Sequence, residues 1–334
     1  MSVRFLTAAA AAGMLGTASP AVADTVCEWM DFSTKVIDAS QPPATVPRTP
    51  DHDQAYAHVA LAMFEALNAI DRRYESHLGV PLGEADASQD AAAITAAYEV
   101  LLAHFPAQKT MLDENYGLAM SGIAEGRSKT AGQRIGKAAG KAAFAAGGID
   151  AAIEQVPYRP RTAAGEWVPT QLPVFEPFST AFKPWVLSNL AAVRPGPPPA
   201  LDSAVWARDY EEVRRVGGRG SKDRSDTESL MARYRITPDI APAMRLAADA
   251  PGRRRVDNAR LFAMMEMAAD DAGRAMMAAK LHYNFWRPVT AIRNGESDGN
   301  PATRPDPGWI PLINTPNHPE YPCAIAPMPG RSPK

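Results

Sequence analysis

The sequence predicts an all-α protein, and three observations carry that expectation. Residues 51–75 place Ala55, Val59, Met63, Phe64, Leu67 and Ile70 at mixed three- and four-residue spacings, the stripe that an amphipathic helix turns toward a core. Residues 130–148 repeat glycine at every fourth position, Gly132, Gly136 and Gly140, which lines up a bare helical face. No stretch is strand-rich, and no internal repeat appears along the 334 residues.

Each element follows from local signals. After the helix in 51–75, Ser88 is the N-cap of a second helix that ends at His104, because Pro106 lacks the N–H that continuation would need. A third runs from about 108 to 124. The glycine-striped helix comes next, its bare face open to close approach by another helix; interleaved Lys and Arg argue against a membrane-dimer reading of the spacing. From 157 to 200 the chain is dense in proline and cannot form long helices, yet Trp167, Phe175, Phe178, Phe182 and Trp185 argue that it packs over the helical body as the wall or lid of a cleft. Helical signals resume at Ser203, break in the Gly- and charge-rich stretch 216–226, and return over 227–234. Asp257 is expected to cap a helix through Leu261, Met264, Met265 and Ala268 that continues or is relayed into the one bearing Lys280. Met264, Met265, Met267, Met276 and Met277 read as adaptable core filler.

The N-terminus has one cation, Arg4, then a run of small apolar residues and Ala21-Val22-Ala23 ahead of Asp24, the pattern of a secretory signal cleaved after Ala23. Residues 1–23 are therefore expected to be removed and the protein exported, to a periplasm or the medium. Removal leaves 311 residues and takes the formal charge from −2 to −3, since Arg4 is the one charge lost. That balance indicates no attraction to nucleic acid or anionic lipid. No later apolar run has membrane-spanning length. A chain of this size suits one helical domain over 24–322, with one core or two packed helical layers. Cys27 and Cys323 permit at most one intramolecular disulfide, which the sequence leaves open.

Chemistry concentrates in KLHYNFWRP, where Lys280 and Arg287 stand seven positions apart. Seven residues are almost two helical turns, so the side chains fall within roughly 20° of one another and can converge on one anion. Pro288 disfavours helical geometry at Arg287 and lets the guanidinium leave the helix end. Spacing alone equally describes a solvated helix face. HPEYPC contains the His-x-Glu and Pro-Cys of a zinc deaminase, but lacks that enzyme's second cysteine at the required separation. The step from Cys323 to Arg331 does not fit the compact anion loop of a cysteine phosphatase. The six histidines, His52, His58, His77, His104, His282 and His318, include no pair at helical metal-ligand spacing. His282 lies about 160° around the helix from Lys280 and reads as a packing residue. His318, in a proline-rich loop, reads as a structural hydrogen-bonding group. Nothing in GGRGSK or GQRIGKAAGK has P-loop spacing.

Lys280, Arg287 and Pro288 complete the KxxxxxxRP signature of the superfamily that joins vanadium-dependent haloperoxidases and type 2 phosphatidic-acid phosphatases, and the wider stretch from FWRPVTAIR to NTPNHPEYP resembles its bacterial secreted, haloperoxidase-like branch. Upstream resemblance extends through AHVALAMFEALNAIDRRYE, FPAQ and VRPGPPPAL. It implies a helical bundle in which lysine and two arginines neutralise vanadate or phosphate while one histidine binds it end-on. In the family HPEYP runs into Ser-Gly-His, whose hydroxyl and glycine amide bind the oxyanion and whose histidine is the acid/base. Here those places hold Cys323, Ala324 and Ile325. Some relatives share Cys-Ala but keep the histidine.

The third family signature, which supplies the second arginine and the vanadate-ligating histidine, has no counterpart in this sequence. Resemblance therefore implies a bundle incomplete at the C-terminus, with residues 323–334 as an aberrant tail for which a shifted reading frame after Pro322 is one origin. It implies oxyanion contacts from Lys280 and Arg287, weak ones from Cys323 and Ala324, no catalytic group at Ile325, and no vanadate ligand. The expected function is haloperoxidase-like with turnover lost and vanadate not retained. The alternatives are a phosphomonoesterase of the phosphatase branch and a non-catalytic scaffold with weak vanadate or phosphate binding.

Overall fold

The computed structural model describes residues 24–40, 50–147, 158–159, 161–170, 183–236, 241–248, 250 and 252–323. The expected signal segment, much of the proline-rich section, and Ala324 and Ile325 lie outside the described residues. Among those described, α1 (Thr25–Ala39), α2 (Pro50–Asp71), α3 (Gln89–His104), α4 (Lys109–Ser121), α5 (Arg127–Ala146), α6 (Ala204–Val216), α7 (Asp226–Ile236), α8 (Ala241–Ala248), α9 (Arg255–Tyr283) and α10 (Pro288–Arg293) make an all-helical bundle without a strand. None of these helices is long and apolar enough to cross a membrane.

α2 is the central rod, packed by α1, α3, α5 and α9. A helix covered on all sides has no solvent face, and from Ala57 to Ile70 every α2 residue is buried. Its polar members are satisfied locally: Glu65 accepts from Ser76 Oγ and from the N–H groups of His77 (2.6 Å) and Leu78 (3.0 Å), and Asn68 holds Tyr74 through both its backbone groups. Those contacts turn the chain where α2 ends, at Arg72 in left-handed geometry with φ 55°.

The glycine stripe on α5 does what its spacing predicts. A Cβ on Gly132 would stand 2.4 Å from Ser88 O, one on Gly136 2.3 Å from Ala92 O, and one on Gly140 2.9 Å from Ala96 O, so α3 and α5 touch backbone to backbone. Ser88 caps α3 as expected, accepting from Ala91 N–H at 3.2 Å.

Several expectations need correcting. α9 is one continuous helix, one of the two alternatives the sequence left open, but Asp257 sits at its third residue rather than at the cap: its carboxylate accepts the Arg254 N–H at 3.3 Å while its own N–H donates to Arg254 O at 3.0 Å. Met264 is 49% exposed and lines a groove instead of filling the core, because that face of α9 is not packed by another helix. Cys27 is buried in α1 and Cys323 is exposed, and no disulfide joins them, which settles a pairing the sequence left open. α1 and α8 were not foreseen, although Val26, Trp29, Met30, Ser33, Val36 and Ile37 give α1 a legible buried stripe capped by Asp24.

A second, smaller core lies beside the bundle, where Trp206 and Tyr210 of α6 meet Trp286, Ile292 and Trp309. Trp206 stacks on Trp286 at 6.0 Å between centroids and donates its indole N–H to Asp298 at 2.8 Å. This aromatic platform carries the loop that leaves α9.

Candidate functional site

Lys280 stands on the last turn of α9, and the break that follows decides where Arg287 goes. Asn284 ends the helix at φ 46° and ψ 38°, a conformation that asparagine tolerates better than most side chains, and its amide donates to Glu166 at 2.6 Å. The next residues pair with the proline-rich section: Trp286 N–H bonds Gly165 O at 2.9 Å and Trp167 N–H bonds Asn284 O at 2.8 Å. Arg287 is extended, with ψ 152°, as the following Pro288 requires, and Pro288 opens α10. The side chains are therefore not aligned by two helical turns. They converge because the chain bends at Asn284 and because both reach for one loop.

That loop is His318–Glu320. Lys280, 1% exposed, donates Nζ to Pro319 O at 3.0 Å and to Glu320 O at 2.5 Å. Arg287, 6% exposed, donates Nε to His318 O at 2.5 Å, one terminal nitrogen to the Glu320 carboxylate at 2.5 Å and the other toward His318 Nδ1 at 2.8 Å. Glu320 N–H closes the arrangement on Phe285 O at 2.9 Å. Burial lowers the Lys280 ammonium to about 8, with Arg287 beside it lowering it further and Glu320 opposing. Burial, with Arg287 and Lys280 nearby, lowers His318 to about 4, so at neutral pH it is uncharged and can accept from the guanidinium.

Beside this centre runs a groove of about 790 Å³ whose floor is the Met264-to-Ala279 face of α9 and whose far end carries Pro322 and Cys323. Its wall is the 186–195 segment of the proline-rich section, as expected from the sequence. Asp271 anchors that wall by accepting the N–H groups of Trp185, Val186 and Leu187 at 2.7, 2.9 and 3.0 Å. The Trp185 indole donates to Asp270, itself paired with Arg274 at 2.8 Å, and the ring lies edge-on to His58.

Of the residues singled out in the sequence, Lys280 and Arg287 are brought together, His318 is structural and bound to Arg287, and His282 is exposed, its ring edge-on to Tyr283. Cys323 lies at the groove, and Ala324 and Ile325 are outside the described residues. Sequence reasoning missed Glu320 as the counterion, although a carboxylate in HPEYP beside two cations was the available signal. It also missed the pairing of His58 Nδ1 with His104 Nε2 at 3.0 Å, which no sequence spacing could have shown.

A tetrahedral oxyanion such as vanadate fits the described arrangement only if the loop oxygens are displaced. It needs donors aimed into a shared space, and here those of both cations are directed at carbonyl oxygens, an imidazole and a carboxylate of the loop. Among the described residues no group of three or more His, Cys, Asp or Glu could hold a metal ion.

Comparison with known proteins finds likeness in sequence in this region and likeness in fold over most of the chain. A family model described as the VCPO second helical-bundle domain matches residues 260–328. The vanadium chloroperoxidase of Curvularia inaequalis is 37% identical over 84 residues, which are 22% of this chain and 13% of that protein, so the shared region is a small part of the curated relative. Among solved structures, a bacterial vanadium-dependent iodoperoxidase aligns over 91% of this chain and 78% of its own with a TM-score of 0.64 and 18% identity. A holo-type bacterial vanadium-dependent chloroperoxidase aligns over 86% and 76% with a TM-score of 0.61, also at 18% identity. At that identity the two structures speak to the helical-bundle fold alone.

Proposed function

We propose, from the chain's likeness to the vanadium haloperoxidase superfamily, that Lys280 and Arg287 are the cationic half of a haloperoxidase-type oxyanion site, held closed by Glu320, in a polypeptide that does not itself oxidise halide. The observation that carries this reading is that the loop His318–Glu320 presents its oxygens to both buried cations. An incoming oxyanion must displace the Glu320 carboxylate and is repelled by it until it does. Two charge-assisted contacts contribute on the order of 1.5–3 kcal/mol each and must offset association entropy, so vanadate or phosphate affinity near or weaker than about millimolar is expected.

The residues that would complete the chemistry differ from the family pattern. Cys323 offers a thiol, a weaker donor than the serine hydroxyl at the corresponding place. Ile325 stands where the acid/base histidine would be and has no proton to give or take. Bound vanadate would supply peroxide activation in the vanadium-dependent relatives; in this chain Lys280 and Arg287 would do no more than hold charge.

The test is a vanadate titration by calorimetry together with a halide-plus-peroxide bromination assay, on the 334-residue chain, Arg287→Ala and Glu320→Gln. Weak vanadate binding is expected, about tenfold tighter in Glu320→Gln as the competing carboxylate is removed, absent in Arg287→Ala, and without bromination in any of them. Vanadate-dependent bromination by the chain would overturn the inactive reading. Equal binding by the chain and Arg287→Ala would remove the site assignment. Hydrolysis of an aryl phosphate by the chain, lost in Arg287→Ala, would favour the phosphatase reading instead.

A further inference from the structure

A second cationic site borders α10. A cleft of about 570 Å³ is bordered by Arg219, Thr290, Arg293, Asn294, Asn314 and Thr315, and none of its lining residues is acidic. Both arginines are exposed; the backbone of Arg219 and the guanidinium of Arg293 are held by main-chain bonds. The chain at Gly218 bridges to Pro311 in antiparallel fashion, with Arg219 N–H on Ile310 O at 2.7 Å and Leu312 N–H on Gly217 O at 3.0 Å, and Arg224 further ties this loop by donating to Gly218 O at 2.8 Å. Arg293 is fixed through Nε to Trp309 O at 2.9 Å, which leaves its terminal nitrogens for another partner. Neither arginine pairs with a carboxylate among the described residues, whereas Arg214, Arg215 and Arg274 all do.

One guanidinium held by backbone and a second free to turn toward it, neither with a counterion among the described residues, suit a dianion, and bidentate phosphate is the chemistry guanidinium serves best. The cleft is far larger than inorganic phosphate requires. Pro169, Val289, Ile310 and Pro311 give it apolar walls, while the amides of Asn294 and Asn314 and the hydroxyls of Thr290 and Thr315 can meet polar groups on an organic body. We propose that this cleft binds a small organic phosphomonoester with a hydroxylated body, its phosphate between Arg219 and Arg293. This goes beyond the reading of Lys280 and Arg287 and does not depend on it.

Calorimetric titration with glucose 6-phosphate, inorganic phosphate and glucose tests the assignment on the 334-residue chain, Arg219→Glu, Arg219→Lys and Arg287→Ala, with thermal unfolding as the control for fold. Arg219 is exposed and donates its side chain to no described residue, so its substitution is expected to leave the unfolding temperature unchanged. Glucose 6-phosphate is expected to bind the chain and Arg287→Ala alike, about tenfold more weakly in Arg219→Lys where the fork is lost, and not measurably in Arg219→Glu. Undiminished binding by Arg219→Glu, or no heat with glucose 6-phosphate at about 10 mM, overturns the site. Loss of binding in Arg287→Ala reassigns the phosphate to the first site and overturns this one. Equal affinity for inorganic phosphate and glucose 6-phosphate would mean an adventitious ion only and would overturn the ligand class.

Discussion

Glu320 answers a charge that the fold has already taken from water. Arg287 is 6% exposed, and its guanidinium keeps a favourable environment because a carboxylate, a carbonyl and a neutral imidazole surround it. Removing one partner of a buried pair leaves the other charge uncompensated, which costs more than the pair itself contributes. Glu320→Ala is therefore expected to destabilise the protein by about 3 kcal/mol, with Glu320→Gln milder because the amide oxygen still accepts. Urea unfolding of the three proteins decides it; an unchanged midpoint in Glu320→Ala would mean that solvent already screens Arg287.

At the scale of elements, the contact between α3 and α5 is made by what is missing from the glycines. In an isolated helix, glycine to alanine gains about 1 kcal/mol from lower backbone entropy in the unfolded chain. At Gly136 the new methyl would stand 2.3 Å from Ala92 O and 2.8 Å from Thr95 Cβ, positions that neither helix can vacate without separating. Gly136→Ala is expected to be net destabilising by about 2 kcal/mol or more, since overpacking outweighs propensity. At Gly117, inside α4, a Cβ would meet nothing within 4 Å, so Gly117→Ala is expected to stabilise by roughly 0.5–1 kcal/mol. Thermal melts of the pair should move in opposite directions; a shift of the same sign would refute the packing account.

Across the whole molecule, acid should loosen the bundle through His58. This ring lies at the meeting of α2, α3 and the wall of the groove, touching His104 and the Trp185 ring, and burial lowers it to about 3, with the charges of His104 and Arg274 adding to the shift. Above its ordinary value of 6.5 the folded and unfolded forms are both neutral. As the pH falls from 6.5 toward 3 the unfolded chain takes up a proton that the folded one refuses, so stability is lost across that window, up to roughly 5 kcal/mol. His318, lowered to about 4, acts in the same direction. Glu266, raised by burial and by Asp270 to about 7, acts oppositely: between 7 and 4.5 the folded form holds a proton that the unfolded form has released, so this group gains stability as the pH falls and contributes no more below 4.5. The net loss should therefore be steepest between about 4.5 and 4, where both histidines act and Glu266 no longer opposes them. Guanidinium unfolding at stepped pH should show His58→Gln losing less stability than the parent between 6.5 and 4; parallel curves would exclude His58 as the sensor.

The sequence by itself determined the helical class, the Ser88 cap, the return of helix near Ser203 and the glycine contact of α5, because each rests on interactions within a few residues, and its motif named Lys280 and Arg287 as a pair. It also pointed to the proline-rich section as a wall, which residues 186–195 form, although Phe175, Phe178 and Phe182, on which that expectation partly rested, lie outside the described residues. Only the tertiary structure decided what lies between the two cations. Helical phase would have pointed both at open space for an anion, but the left-handed turn at Asn284 re-aims Arg287, and the loop 318–320, some thirty residues on, fills that space with its own oxygens. The same reason hid the His58–His104 pair and the two unpaired arginines beside α10. Their neighbours are distant in the chain, and a charge is only known to be compensated once everything that packs around it is in place.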